Sequence, residues 1–460
     1  MTAGVQPARR VAFDVIRAVS ESDAYANLLL PVKLDRAGLR GADAALATEL
    51  TYGTLRQQGL YDRVIERAAG RPLDKVDPPI LDVLRLGAHQ LLSMRVAPHA
   101  AVDEAVTLAR LVGSRSATGF VNGVLRTISR TSPQEWRARV IGEQTTPDDR
   151  LAAEFSHPVW IVRAFRQSLA ADGRESELEQ LLAANNVAPR VSLAALPGLA
   201  HRDELDDAQP GTLSPVAAHS SGGDPSRLTA VKEGRARVQD EGSQVAAFAL
   251  SRARPIQRGE QWLDLCAGPG GKAALLAAEA IAGGASLVAN EISPARAGLV
   301  RNALAVFDEP PRVLEEDGRE LGHRLAETFD RVLLDAPCTG LGALRRRPEA
   351  RWRKKLADVP GLTALQLELV TAAAAALKPG GLLAYVTCSP HLAETRVAVR
   401  HAVSVCGLAE IDTPAILSKI AGRNPDVRGD ASAQLWPHAH GTDAMFIALL
   451  EKPHGGGRPR

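Results

Sequence analysis

The sequence predicts a multidomain α and α/β chain: an all-α bundle first, then a small α+β domain, then a doubly wound parallel sheet. Three observations carry this. Residues 8 to about 130 are rich in alanine and leucine at helical spacing and hold no convincing strand. WLDLCAGPGGK (262–272) is an apolar strand emptying into a glycine turn and a helix start. From Gln261 on, strands and helices alternate regularly, and acids stand at successive strand ends. A chain of 460 residues fits about three domains. They are expected at 1–135, 136–235 and 236–452, with a flexible basic tail at 453–460.

In the bundle, Val11, Val15, Ile16 and Val19 mark one helix and Leu46 to Leu55 another; Ile80–Leu92, Val102–Leu111 and Phe120–Ile128 mark three more. Pro78-Pro79 and Pro98 punctuate them. Arg56, Arg85, His99, Glu104, Asn122 and Arg126 read as packing or capping groups, because nothing pairs them as acid, base or ligand. Residues 130 to 155 read as a linker. Beyond it, 156–165 begins a helix, 181–196 passes from helix to strand, and Gly222–Ser226 is a loop. Gln239 to Gln244 reads as a strand-to-helix turn with Ser243 near the cap.

The 55 Lys+Arg against 53 Asp+Glu leave a net charge of +2, so any nucleic-acid surface must come from clustering. The candidates are Arg345 to Lys355 with Trp352 inside it, the pair Arg9 and Arg10, and the tail from Lys452. Four cysteines without C-x-x-C or Cys/His zinc spacing exclude a disulfide framework and point to reduced thiols, with no metal site expected. No run approaches the roughly 18 apolar residues of a membrane span, and no signal-peptide hydrophobic region precedes the bundle. A cytoplasmic protein without membrane contact is expected.

The glycine turn is a nucleotide cradle, since its backbone angles and its close approach to a ligand both exclude side chains. Cys266 and Ala273 break the P-loop pattern, so nucleotide hydrolysis is disfavoured. The following strands, Ser286–Asn290, Arg312–Glu315, Arg331–Leu334 and Leu382–Val386, set Glu291, Asp317 and Asp335 at the ligand-binding edge of a Rossmann-like sheet, and Phe446 to Leu450 closes it. Glycines plus a ribose-binding acid suit a nicotinamide cofactor as well as S-adenosylmethionine.

The thiols discriminate between the two. Cys338, in DAPCTG (335–340), and Cys388, in VTCSP (386–390), follow adjacent strands in proline-bearing turns. Cys406 and Cys266 read as packing, although the Cys266 backbone can touch ligand. A thiolate adding to carbon 6 of a pyrimidine makes carbon 5 nucleophilic enough to take a methyl group from a sulfonium. The site must therefore favour a thiolate, and Asp335 is placed to stabilise charge on ring nitrogen 3. A nicotinamide oxidoreductase would leave both thiol turns unexplained.

ATELTYGTLR (47–56), LRLGAHQLL (84–92), PHAAVDEAV (98–106) and GFVNGVLR (119–126) resemble the NusB-like domain that precedes certain RNA methyltransferases. LDLCAGPGGK, NEISPAR, EDGRE, DAPCTGLGALRRRPEARWR, LKPGGLLAYVTCSP and HGTDAMF together resemble the Sun-type RNA cytosine carbon-5 methyltransferases, most closely the bacterial 16S ribosomal RNA branch. The likeness covers nearly the whole chain. It implies S-adenosylmethionine bound by Cys266, Ala267, Gly268, Pro269, Gly270, Gly271, Lys272, Glu291, Asp317 and Asp335. It also implies Cys388 as nucleophile and Cys338 as the group that assists product release. The Pro-Cys turn alone would favour Cys338, since DNA cytosine methyltransferases use that cysteine as nucleophile. Two departures stand out: Ala273 lacks a hydroxyl common in relatives, and TDAMF replaces Asp-Gly-Phe-Phe.

The expected enzyme is a monomer that methylates a flipped or single-stranded cytosine, with the Arg345–Lys355 run on the RNA backbone and salt-sensitive binding. Transfer RNA as substrate, or a catalytically inert RNA-binding assembly or antitermination factor, are the alternatives.

Overall fold

The computed structural model describes residues 4–22, 24–205 and 208–454, so the expected basic tail lies outside the described residues from 455 on. Two compact units form. One comprises the chain up to Arg163 with Leu182–Val187 and Leu344–Arg353; the other comprises Ala164–Leu181, Ala188–Ala343 and the chain from Lys354 on.

The first unit is helical. The five predicted helices run Pro7–Glu21, Gly41–Arg56, Pro78–Ser93, Pro98–Val112 and Arg115–Ser129. Two more escaped the periodicity. Ala26–Arg36 buries only Ala26 and Leu30, and Gln58–Ala69 is divided from its predecessor by a single residue, Gln57. Val15, Leu50, Tyr61, Val83, Leu125 and Ile128 pack the core, a burial that offsets the entropy of ordering the helices. The stretch expected as a linker is instead two helices, Pro133–Gly142 and Pro147–Glu154. A Ser132/Glu135 capping box and a Thr146 cap start them, and Trp136 and Val140 join the bundle core. Arg85 packs as expected, pairing with Asp62 (2.7 Å) and Asp82 (3.1 Å).

Within Leu344–Arg353 the expectation of an RNA-facing basic run is corrected for Arg351 and Arg353, whose guanidinium groups bond to backbone carbonyls at helix ends inside this unit, whereas Arg347 is exposed. Arg351 is fully buried and donates to the carbonyls of Arg56 (2.8 Å), Ser156 (3.1 Å) and Asn185 (2.7 Å) and to Asn186 Oδ1 (2.7 Å). Arg353 donates to Val19 O (2.8 Å), and the Trp352 ring lies so close to Gly59 that a Cβ there would meet it at 2.4 Å. The last carbonyls of a helix have no intrahelical partner, and a guanidinium fork satisfies several at once. Burial and the neighbouring Arg56 push the Arg351 pKa down to about 9. The pair Arg9 and Arg10 is likewise engaged, with Gln90 (2.7 Å) and Asp14 (3.0 Å).

The second unit holds two sheets. Strands β1 (Ser192–Ala195), β2 (Gln209–Pro210), β3 (Ala217–His219) and β4 (Ala236–Val238) form an antiparallel sheet in the order β2-β3-β1-β4. The larger sheet contains β5 (Gln261–Asp264), β6 (Ser286–Asn290), β7 (Arg312–Leu314), β8 (Phe329–Asp335), β9 (Leu377–Thr387), β10 (Ala409–Ile411), β11 (Ala433–Gln434) and β12 (Phe446–Glu451). Its order is β10-β12-β9-β8-β5-β6-β7, with β11 paired to β12. Strands β5 to β9 are parallel, whereas β10, β11 and β12 pair antiparallel. Both faces are apolar because successive side chains point to opposite sides: Trp262, Leu333 and Leu382 enter one core, Leu263, Leu334 and Leu383 the other. Met445 and Phe446 are core residues, as expected. Among the described residues one helix, Leu356–Ala376, is long and apolar enough to cross a membrane, and its Leu369, Val370 and Ala373 pack in the second core. Strand order reverses between β5 and β8, and the carboxyl ends on either side of that reversal open a crevice.

Replacing Arg351 with alanine would leave buried carbonyls unpaired. R351A is expected to lower the unfolding free energy by about 3 kcal/mol in urea titrations. A phosphate-contact role would instead leave stability unchanged and weaken RNA affinity alone.

Candidate active site at the sheet reversal

The glycine turn leaves β5 and enters helix Gly271–Gly283 through Gly270, which has φ +107°. A Cβ on Gly270 would lie 2.6 Å from Ala303 Cβ, and one on Gly268 would lie 2.2 Å from Glu291 Oε2. Gly270 is required for angle as well as for space, and Gly268 for space alone. Ala267 N–H donates to Asn290 O (2.8 Å) and Gly270 N–H to Ala267 O (2.7 Å), so Cys266 to Gly271 form a tight turn over the strand ends, with a cis peptide before Pro269.

Glu291 ends β6 almost fully buried, accepting from Gly268 N–H (3.1 Å) and Ser293 N–H (3.0 Å). Arg296 adds an ion pair to it (3.4 Å) and a bond to Gly268 O (2.7 Å). Asp317 stands at the same edge but caps helix Gly318–Arg324, accepting Arg319 N–H (2.9 Å) and binding its guanidinium, which holds the carboxyl below the ordinary range. Asp335, ending β8, takes the Lys272 ammonium on Oδ2 at 2.7 Å. Burial works to lower the Lys272 pKa, but the Asp335 charge and hydrogen bond prevail and hold it above its ordinary value.

The parallel register sets Asp335 beside Val386, so the turns after β8 and β9 leave the sheet side by side. Cys338 Sγ and Cys388 Sγ lie 3.5 Å apart. The Cys338 thiol is pushed well up, first by its hydrogen bond with Cys388, then by burial, then by the charges of Cys388, Glu394 and Asp335. Gly342 locks the pair from beneath: its N–H donates to Cys388 O (2.9 Å), its carbonyl accepts Ala444 N–H (2.9 Å), and a Cβ would lie 2.2 Å from Ala444 O. Thus the TDAMF loop, despite its divergent residues, braces the thiol turn through its backbone. Cys266 and Cys406 pack against the second core, and burial pushes both thiols up. Among the described residues no group of three His, Cys, Asp or Glu side chains could hold a metal.

Three features were missed by sequence reasoning, and a fourth, Asp264, was read only as an acid within a buried strand. Asn290 donates to Leu265 O (3.1 Å) and Glu316 O (3.0 Å), clipping three strand ends together. Asp240, not Ser243, caps helix Glu241–Ser251 through Gly242 N–H (3.0 Å), and it also accepts Asp443 N–H (3.1 Å). Glu394 is buried against the two thiol turns. Asp264, fully buried beneath the cradle, has no side chain hydrogen-bonded to its carboxylate and is met by the Cys266 backbone alone. Its run, WLDL, advertised an acid inside a buried strand, which was the available signal.

Comparison with known proteins places this arrangement. The family model for 16S rRNA methyltransferase RsmB/F matches residues 253–451, and that of the NusB family matches residues 6–130. The putative methyltransferase Rv1407 of Mycobacterium tuberculosis is 49% identical, with 97% of each chain covered. The probable ribosomal RNA small subunit methyltransferase B of Bacillus subtilis is 30% identical over 96% of this chain and 98% of its own. The solved structure of PH0851 shares the fold, with a TM-score of 0.80 and 23% identity over 98% of this chain and all of that one. NSun6 from Pyrococcus horikoshii with SFG matches at a TM-score of 0.51 and 18% identity, over 63% of this chain and 98% of its own. The chain belongs to the RsmB/F family of RNA methyltransferases, with a NusB-family helical domain ahead of the methyltransferase fold.

Burial and the adjacent Asp335 raise the Asp264 pKa to about 8, despite the opposing Lys272 charge. A carboxyl whose folded pKa exceeds its unfolded value binds more protons when folded, so its contribution to stability falls as pH rises from about 4 to about 8. D264N is therefore expected to raise the urea midpoint increasingly across that window while leaving it unchanged at its acid end. A gain independent of pH would contradict the buried neutral carboxyl.

Proposed function

We propose that the chain methylates carbon 5 of a cytosine in RNA, with 16S ribosomal RNA as target, from S-adenosylmethionine and through a covalent Cys388–cytosine adduct. The observation that carries this reading is the pair of thiols 3.5 Å apart beside the Lys272–Asp335 ion pair, at the mouth of a glycine cradle.

The residues present suit the methyl donor. Cys266 to Lys272 offer a side-chain-free turn and the first N–H groups of a helix, and Glu291, Asp317 and Asp335 line the edge where ribose and amino groups of such a ligand are held. When bound, S-adenosylmethionine supplies an electrophilic methyl group. Cys388 as thiolate adds to carbon 6 of the flipped cytosine, forming the S–C bond and making carbon 5 the nucleophile. Asp335 and Lys272 stabilise the charge that develops on the ring. After methylation solvent water takes the carbon 5 proton, and the C5–H electron pair re-forms the C5–C6 double bond as the S–C bond breaks with its electrons returning to the Cys388 sulfur. Cys338, a thiol held protonated against Cys388, hydrogen-bonds that departing sulfur. The enzyme is read as a cytoplasmic monomer whose helical domain engages RNA. An inert assembly factor would have no reason to keep both thiols aligned on the cradle.

C388A should lower methyl transfer to a 16S transcript by at least about 1,000-fold while calorimetry still registers S-adenosylmethionine binding. Full turnover by that variant would overturn the thiol assignment. C338A should remain trapped on RNA as a slow band on a denaturing gel, and free RNA alone would remove its release role. Bisulfite sequencing of ribosomal and transfer RNA from a deletion strain identifies the cytosine that loses its methyl group.

A further inference from the structure

Resting on the reading of Cys388 as nucleophile, we propose that Glu394 is a positioning residue that binds the two cysteine turns into one rigid unit. Its carboxylate is wholly buried and lies between the turns. It accepts the Thr339 N–H at 2.7 Å on Oε1 and the Thr339 hydroxyl on Oε2, which fastens the residue directly after Cys338. Thr339 Oγ1 lies 3.1 Å from Ser389 Oγ, which fastens the residue directly after Cys388. Gln366 Nε2 donates to Pro337 O at 2.8 Å and to Glu394 Oε1 at 3.4 Å, tying down the residue before Cys338 as well. Tyr385 Oη donates to Glu394 O (2.7 Å), anchoring the carboxylate's own backbone to β9.

Strand pairing alone ends at Asp335 and Val386. Beyond it one backbone bond, Gly342 N–H to Cys388 O at 2.9 Å, joins the two turns, and an ångström of relative slip would spoil the approach of both sulfurs to one pyrimidine ring. An acceptor-only group facing three donors resists that slip, and its burial gives the hydrogen bonds their stiffness. The charge has a second consequence. Glu394 is among the groups that raise the Cys338 pKa, keeping that sulfur a donor toward Cys388. His391, capping the same turn, faces Glu394, and among the described residues the other ionisable groups set against the thiols are Asp335, Lys272 and Tyr385. The last three lie on β8, on the cradle helix and on β9, so the glutamate charge comes from a separate element, the turn at Leu392–Glu394.

The full-length protein tests this with 16S transcript and S-adenosylmethionine. E394Q, which keeps volume but loses the charge and one acceptor, should slow single-turnover methyl transfer about 100-fold with cofactor affinity unchanged. T339V, which deletes the hydroxyl bridge, should slow the same step. In a C388S background, E394Q should lower the pH midpoint of Cys338 alkylation, read by mass spectrometry, by about one unit, because a negative neighbour is gone. A methyl-transfer rate for E394Q within about threefold of wild type, or an unmoved midpoint, overturns the inference and leaves Cys388 as nucleophile. Loss of cofactor binding together with the rate also overturns it, by making Glu394 a general prop of the cradle. Turnover by C388A would instead overturn the reading beneath it.

Discussion

The parallel ladder between β8 and β9 is the interaction on which the rest of the site depends. Its register sets Asp335 opposite Val386, and every reactive group beyond that pair inherits its position from it. A slip of one residue would turn the side chains of β9 to the opposite core and carry Cys388 away from Cys338. Such a slip is resisted because both faces of these strands are apolar and buried: Leu333 and Leu382 on one side, Val332, Leu334 and Leu383 on the other. The antiparallel β12 holds the far edge of β9 and delivers Ala444 to Gly342, so the thiol turn is supported from both strands that flank it.

Charge around that ladder is arranged in pairs, with the Lys272 ammonium and Glu291 buried and the guanidinium groups of Arg296 and Arg319 about half exposed. Lys272 neutralises Asp335, Arg296 neutralises Glu291, and Arg319 neutralises Asp317, while Asp264 beneath them, among the described residues, enters no ion pair. Three carboxylates therefore face the crevice already paired, and the fourth is kept uncharged by burial near neutral pH. Such a crevice presents directed hydrogen-bonding groups without the field of an uncompensated acidic cluster, which would repel an RNA backbone.

The basic run at Arg345–Arg353 shows the opposite use of charge. Outside a fold, arginines interleaved with tryptophan look like a phosphate-binding strip. Inside this one the guanidinium groups of Arg351 and Arg353 meet the orphan carbonyls of helix ends, Arg56 and Val19 among them. The same donors satisfy either partner, and the neighbours the chain supplies decide which.

Much was legible in the residue order because the physics involved is local. Helical spacing exposed five of the bundle helices, apolar runs marked the parallel strands, and the glycines of the cradle announced a backbone that tolerates no Cβ. The cysteines at strand ends suggested the proposed pyrimidine chemistry, and the proposed roles of nucleophile and assistant come from the resemblance. The two helices at 133–154 were hidden by their prolines and acids, which begin helices as readily as they fill linkers. Tertiary structure alone decided the 3.5 Å between the sulfurs, the burial of Arg351 and the place of Glu394, an acid that no sequence motif singled out. Each of these depends on which distant segments share a buried space, and no local pattern of side chains encodes that choice.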